Sequence, residues 1–267
     1  MTPLRVSAAT DAEVAGDIAT VIASLPISLV GAESEQRGDL VAVHGGPGWP
    51  ERTAECLLHK VRGLLIVHPT PVSPTDVPEV SFVPVVVDYR FAGNRALAAA
   101  AMAFDGWPAG AMIEVAAVVP DESSLEETLV DQLATLRRLG QPAVELHRLT
   151  WNGSGYYLRG STNAGSPVLV SAHVSSGARP SLRVRGLAAD SGVVLTLPDP
   201  GTARPAVLVN TTSTGATTTP TIWETSHRAA WRRLHTAVSG ARLTNDLADL
   251  RADLIFTGQI LSTVSTV

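Results

Sequence analysis

DLVAVHGGPGWPERTAECLLHKVRGLLIVHP, residues 39–69, is the stretch on which the reading of the fold turns. DLVAVH at 39–44 has the apolar run of a strand, and LLIV at 64–67 has another. Between them a Gly/Pro turn at 45–50 leads into residues 51–61, whose apolar positions recur at helical spacing. Two apolar strands joined by one helix predict a parallel β-α-β unit with both faces covered. The glycines of the turn, Gly45, Gly46 and Gly48, alternate with Pro47 and Pro50, which suits a rigid turn better than a phosphate cradle.

The pattern extends in both directions. Residues 4–9 read as a strand, 11–24 as a helix with Asp11 at or near its N-cap, and 27–31 as a short second strand. VPVVV at 83–87 is a further strand, 90–103 a helix and 112–119 strand-like. Residues 121–139 read as a helix introduced by Asp121, Ser123 and Ser124 and closed at Gly140. From residue 143 to 210 the period changes to two, which predicts an antiparallel sheet of about five or six strands. TTSTGATTTP at 211–220 reads as a polar, disordered loop, and helices are expected at 227–239 and 245–261. The expected class is α/β. A parallel α/β half spans 1–88, and an α+β half with an open antiparallel sheet spans 89–267, its C-terminal helices returning to the first half.

Composition narrows the functions. The chain has 267 residues and a net charge of -5, which gives no basic surface for a phosphate backbone and excludes nucleic acid as the expected partner. Of 20 basic residues only Lys60 is a lysine, so a lysine-dependent mechanism has one candidate. Cys56 is alone, which rules out a disulfide within the chain and reads as a small buried residue on a helix. No apolar run approaches the ~20 residues of a membrane span, and a cytoplasmic protein is expected.

The order of elements resembles that of the Gfo/Idh/MocA family of nicotinamide-dependent oxidoreductases. Residues 39–69 are similar to its passage of strand, turn, helix, strand and Glu-Lys-Pro, and AAWRRLHTAVSGARLTNDLADLRADLIFTGQIL at 229–261 to its closing helices. Within that family the chain resembles the thiazolinyl imine reductases of siderophore pathways. They too carry histidine before the proline, here His68-Pro69, and IEVAAVVPDESSLEETLVDQLATLRRLGQP at 113–142 is similar to their strand-then-helix passage. The resemblance implies a Rossmann-like first half and a substrate cleft lined by the residues after VPVVV.

Two departures matter. The family opens on a glycine-rich turn that lets the backbone approach a pyrophosphate, whereas this chain has VSAATDAEVAGD at 6–17, with Asp11, Glu13 and Asp17 crowding the first turns. A carboxylate ~4 Å from a phosphate costs on the order of 4 kcal/mol at an effective dielectric of ~20. Micromolar binding is worth only about 8 kcal/mol. The expectation is therefore that no cofactor binds tightly, with NADPH as the alternative. A helix and a strand also appear to be missing between Gly31 and Asp39.

Several residues remain for chemistry. His68 ends a strand where ligands of open α/β sheets bind, and a neutral imidazole there serves as acid or base near pH 7. Tyr89 is a donor to a substrate heteroatom and Arg90 a clamp for a carboxylate. Asp131 is the ionisable residue nearest the position at which the resemblance places a second catalytic group. In VELHRLTW, His147 shares a face with Glu145 and Trp151, and in LVSAHVSS, His173 faces the same way as Ser171. If those strands pair, both histidines meet a substrate or a partner, and with Glu145 they form a ligand set for a metal, against which a polar outer face is the plainer reading. Trp231, His227 and His235 are expected to pack the C-terminal helix onto the first half.

Two functions follow as expectations. One is a degenerate oxidoreductase of specialised-metabolite biosynthesis, acting without redox chemistry or as a subunit that binds a small or carrier-bound intermediate. The other is an NADPH-dependent imine or carbonyl reductase with an atypical cofactor site. Whether the chain is an enzyme stays open between them. In either case the open sheet is the expected surface for a homodimer or for a related subunit.

Overall fold

In a computed structural model, residues 3–25, 29–32, 38–59, 61–79 and 82–262 are described. Lys60, Ile27 and the segment 33–37, in which a helix and a strand were expected to be missing, lie outside them. The chain divides into two units, Met1–Gly93 with Thr225–Leu254 and Asn94–Glu224 with Ile255–Val267.

The first unit is built on a five-stranded parallel sheet. Its strands are β1 (Leu4–Ala8), β2 (Leu29–Gly31), β3 (Leu40–His44), β4 (Gly63–Val67) and β5 (Val85–Asp88), in the spatial order β2-β1-β3-β4-β5. β4 (GLLIV) and β5 (VVVD) are buried at every position, as strands covered on both faces must be. The single helix expected over 11–24 is instead two, α1 (Thr10–Gly16) and α2 (Ile18–Ser24), broken at Asp17, whose φ is 45°. Glycine and aspartate in succession permit the break, because aspartate tolerates the left-handed region, and Glu13 Oε1 then accepts the Ala19 N–H at 2.7 Å at the start of α2. α3 (Trp49–Leu58) follows the Gly/Pro turn, with Cys56 half-buried on it rather than buried.

α6 (Ser226–Ser239) belongs to the same unit although it lies far along the chain. Its Ala230, Trp231, Leu234 and Val238 share one core with Leu4 and Val6 of β1 and with Ile18, Val21 and Ile22 of α2. The expected packing role of Trp231 holds.

The second unit carries α4 (Ala96–Phe104), β6 (Met112–Val119), a single 3-10 turn at Glu122–Ser124, α5 (Leu125–Arg138) and seven further strands. These are β7 (Ala143–Asn152), β8 (Gly155–Thr162), β9 (Pro167–Val174), β10 (Ser181–Leu187), β11 (Ser191–Pro198), β12 (Val207–Thr212) and β13 (Gly215–Thr218). The sheet order is β13-β12-β11-β10-β6-β9-β8-β7. It is mixed, because β6 runs parallel to β9 after a crossover that includes α5. Alternation along β6 buries Ile113, Val115, Ala117 and Val119 and leaves Met112, Glu114, Ala116 and Val118 half-buried.

α5 ends as its sequence predicts. Gly140 has φ 74°, its N–H reaches Arg137 O, and the Gln141 N–H reaches Leu136 O, each at 3.0 Å. The loop expected at 211–220 is a correction. Its threonines extend β12 and form β13 across a turn at Ser213 and Thr214, since β-branched residues favour extended backbone even in a low-complexity run. α7 (Asp246–Ser262) closes the chain. Among the described residues no helix is long and apolar enough to cross a membrane. The fold class is the expected one, a Rossmann-like parallel unit and an α+β unit.

Candidate functional site

The C-terminal ends of β1, β3, β4 and β5 share one edge of the parallel sheet, the edge at which ligands of open α/β sheets bind. Two loops on that edge are clipped together. The Gly45 N–H donates to Val67 O at 2.7 Å, and the Thr70 N–H and Oγ1 both donate to Gly45 O, at 2.7 and 2.9 Å. A Cβ on Gly45 would lie 2.3 Å from Pro69 Cα, so only glycine fits. The Arg52 guanidinium donates to Pro47 O, His44 O and Gly46 O at 2.7, 2.8 and 3.0 Å. The glycine cluster is thus a pinned turn.

The clip holds His68 in place. Its φ is 50°, a left-handed conformation that costs a non-glycine residue about 1–2 kcal/mol. Its N–H donates to Asp88 O at 3.0 Å. The His68 ring lies 5.0 Å from the ring of His227, tilted by 41°. His227, in the first turn of α6, bonds through Nδ1 to Asp88 Oδ2 at 2.6 Å. Their side chains are 6% and 1% exposed. Asp88 Oδ1 is also buried and, among the described residues, accepts from no donor. With Nδ1 donating to the carboxylate, the remaining nitrogen of His227 is Nε2, and the tautomer is set.

Tyr89, buried, and Arg90, whose Cζ stands 5.9 Å from the Phe91 ring centre, follow directly on the same strand end. Ser226 Oγ donates to Arg90 O at 2.8 Å and ties this segment to the start of α6. His68, Tyr89 and Arg90, chosen from the sequence, therefore share one sheet edge. Asp88 stood beside them without a role, and His227 was read as packing. Its polar partner is 139 residues away in sequence, and only its place two residues after Thr225, the N-cap, hints that it faces a strand end.

At the neighbouring β1–α1 turn, Ala9 is the N-cap of α1 and makes no side-chain cap bond. Asp11 Oδ1 accepts the Ala12 N–H at 2.8 Å, and its Oδ2 lies 3.4 Å from His44 Nδ1. Both first-turn carboxylates, Asp11 and Glu13, are thus turned onto groups of the protein itself.

Asp131, His147 and His173 belong to the second unit. Asp131 is buried on α5. Next to it in sequence, Gln132 accepts from Tyr156 OH at 2.5 Å and donates to Ser171 O at 2.7 Å. Burial, and after it the Asp131 charge, pushes the Tyr156 phenol well above its usual range. His147 and His173 do not meet, because β8 lies between their strands, with His147 opposite Arg159 and His173 opposite Gly155. His147 Nε2 bonds Glu145 at 2.8 Å, and His173 Nε2 bonds Tyr157 OH at 2.9 Å. Trp151 leaves the face of His147 because of a register shift between Arg148 and Thr150, and it stacks on buried Tyr156 at 4.4 Å. Among the described residues no group of three or more His, Cys, Asp or Glu is placed to hold a metal.

No protein-family model matches the sequence, and no curated protein does. Solved structures do match in fold. A dehydrogenase, MviM, from Clostridium difficile superposes with a TM-score of 0.69 at 10% identity, over 98% of this chain and 99% of that one. UDP-N-acetylglucosamine 3-dehydrogenase from Acidithiobacillus ferrooxidans gives 0.65 at 16% identity, over 99% and 98%. A 3-ketoreductase from Actinomadura kijaniata, in complex with NADP and TDP-benzene, gives 0.68 at 12% identity, over 98% of each chain. At these identities the likeness establishes the fold.

One expectation is corrected here. A chain of this fold has been solved with NADP bound, which runs against the expectation that no cofactor binds tightly here, with NADPH only as the alternative. The reason lies in the first turn. Asp11 and Glu13 were weighed as bare carboxylates facing phosphate, whereas both are engaged with backbone N–H groups and, for Asp11, with His44.

Proposed function

We propose that the chain is a nicotinamide-dependent reductase of the Gfo/Idh/MocA type, reducing a carbonyl of a small molecule with NADPH. The observation that carries this reading is His68, held in a strained backbone at the end of β4 against the buried Asp88–His227 pair. Backbone strain of this kind, kept by a clip of hydrogen bonds, clusters at active sites and ligand clamps. The fold supports the reading, since a 3-ketoreductase and a 3-dehydrogenase of a nucleotide sugar share it.

The cofactor fits the sheet edge in part. Its phosphates would meet the backbone of residues 9–11, where among the described residues no oxygen accepts the Thr10 or Asp11 N–H. The glycines usual at such a turn are absent, so the contact is expected to be weaker than in glycine-rich relatives. When bound, the cofactor supplies hydride. The chain supplies the proton, which His68 holds and gives to the substrate oxygen, while Tyr89 and Arg90 orient the substrate from the next strand end. A thiazoline-type imine is the second substrate reading, favoured by His68 preceding Pro69. The substrate is free or carrier-bound, and the half-buried face of β6 and its neighbours would pair with a second copy or a related subunit.

Fluorescence of the five tryptophans during titration with NADPH and NADH tests the reading. Saturable binding with Kd below ~100 µM, about -5.5 kcal/mol, is expected. His68→Gln should then slow turnover about 100-fold and change Kd by less than roughly threefold. A chain that shows no saturation, or a His68→Gln variant as fast as the parent, overturns it.

A further inference from the structure

Asp88 and His227 do more than fasten α6 to β5. A buried carboxylate that serves only packing is ordinarily satisfied at both oxygens. Among the described residues Asp88 is not, because Oδ1 is buried without a donor there and its side-chain bond runs to His227. That bond fixes the tautomer of a ring that lies 5.0 Å from the imidazole of His68. The arrangement serves the pair of imidazoles rather than the carboxylate.

We propose that Asp88 and His227 are positioning residues for His68, supplying the counter-charge that lets His68 keep the proton it donates. The inference rests on the reading of His68 as proton donor. A protonated His68 beside a lone imidazolium would face a like charge. Beside Asp88 and His227 it faces a pair of net charge zero when His227 is protonated and of net charge minus one when it is neutral. The other charged or titratable groups on or against these elements are Tyr89 and Arg90 after β5, Arg228, Arg232, Arg233 and His235 on α6, and Asp246, which accepts the Val87 N–H of β5 at 2.9 Å. The Arg228 guanidinium is directed to Ser24 Oγ, the Arg90 guanidinium stands by Phe91, and the Asp246 carboxylate is paired with Arg233 at 2.6 Å, so the carboxylate bonded to an imidazole of this cluster is Asp88.

The step served is a proton transfer. An O–H bond forms on the substrate, an N–H bond of His68 breaks, the imidazolium becomes neutral imidazole, and solvent returns the proton. Removing the Asp88 charge makes His68 lose its proton at lower pH. The alkaline fall in kcat/KM then moves downward, because reduction needs the protonated form.

Two measurements test this. In the wild-type chain without cofactor, 15N spectra of the histidine side chains should show His227 with its proton on Nδ1 in a strong hydrogen bond. A His227 protonated only on Nε2, or exchanging between tautomers, overturns the proposal without any variant. With NADPH, Asp88→Asn should move the alkaline limb of kcat/KM down by about one pH unit, whereas His227→Gln, which keeps the carboxylate, should not move it down; each should lower kcat about tenfold or more, with Kd for NADPH little changed. A merely structural pair would lower stability and leave the limb in place in Asp88→Asn, which also overturns it. If either variant fails to fold, the other and the wild-type spectrum still decide. Failure of NADPH to bind at all would instead remove the reductase reading, so the two failures are distinguishable.

Discussion

Gly45 shows how closely the sheet edge is built at the scale of single residues. Any Cβ there meets the backbone of Pro69, so Gly45→Ala is expected to destabilise the chain by roughly 3 kcal/mol or more, seen as a fall in thermal midpoint. Arg52→Ala removes three charge-assisted bonds to loop carbonyls and should cost about 2 kcal/mol; Arg52→Lys should recover only part of it, because an ammonium cannot fork across them. Tyr156 is expected to be the last of the three tyrosines to ionise when absorbance is followed with rising pH. Its raised folded value means that its stabilising contribution is intact below the unfolded phenol range and is lost as pH climbs beyond it. Of these residues the glycine cluster was legible as a rigid turn, since its prolines exclude a cradle. Arg52 and His227 were not, because Arg52 bonds backbone carbonyls of the preceding turn, which every residue type carries, and His227 bonds a carboxylate on a distant strand.

Among the elements, the break between α1 and α2 was missed because Asp17 continues an apolar helical period while its backbone leaves the helix. Asp17→Gly is expected to raise stability by about 0.5 kcal/mol, the relief of left-handed strain exceeding the added flexibility of the unfolded chain. Thermal melts of the pair check it. The turn before α5 was legible from Asp121, Ser123 and Ser124, and the structure adds its electrostatics. The Ser123 hydroxyl holds the Asp121 carboxyl below its usual value against the opposing effect of burial, with Ser124 adding to it. The sign follows directly. The contribution is present above the unfolded carboxylate value and is lost as pH falls through the lower folded one. Urea midpoints of the parent and Asp121→Asn should therefore differ at pH 7 and converge near pH 2. β13 escaped notice since composition alone, ten residues of Thr, Ser, Gly, Ala and Pro, cannot tell a solvated hairpin from a loop.

Across the whole molecule, the change of period from helix-and-strand to alternating residues separated a parallel sheet from a largely antiparallel one. The parallel pairing of β6 with β9 was out of reach, as it depends on which strands α5 brings together rather than on either strand's own pattern. Placing α6 in the first unit rested on Trp231, and its burial in the core with Leu4 and Val6 explains why. Trp231→Ala should cost about 3–5 kcal/mol and loosen the whole first unit, read as faster amide exchange in β1 and β4. At the β1–α1 turn the sequence shows Asp11 and Glu13 only as charges, whereas in the fold both carboxylates are hydrogen-bonded to backbone N–H groups. Hydrogen–deuterium exchange of the intact chain with and without NADPH tests most directly whether the sheet edge of the first unit is the redox site. Slower exchange is expected in the segments 8–13, 44–48 and 68–70 when the cofactor is added. Unchanged exchange there, or protection confined to the second unit, would contradict the assignment.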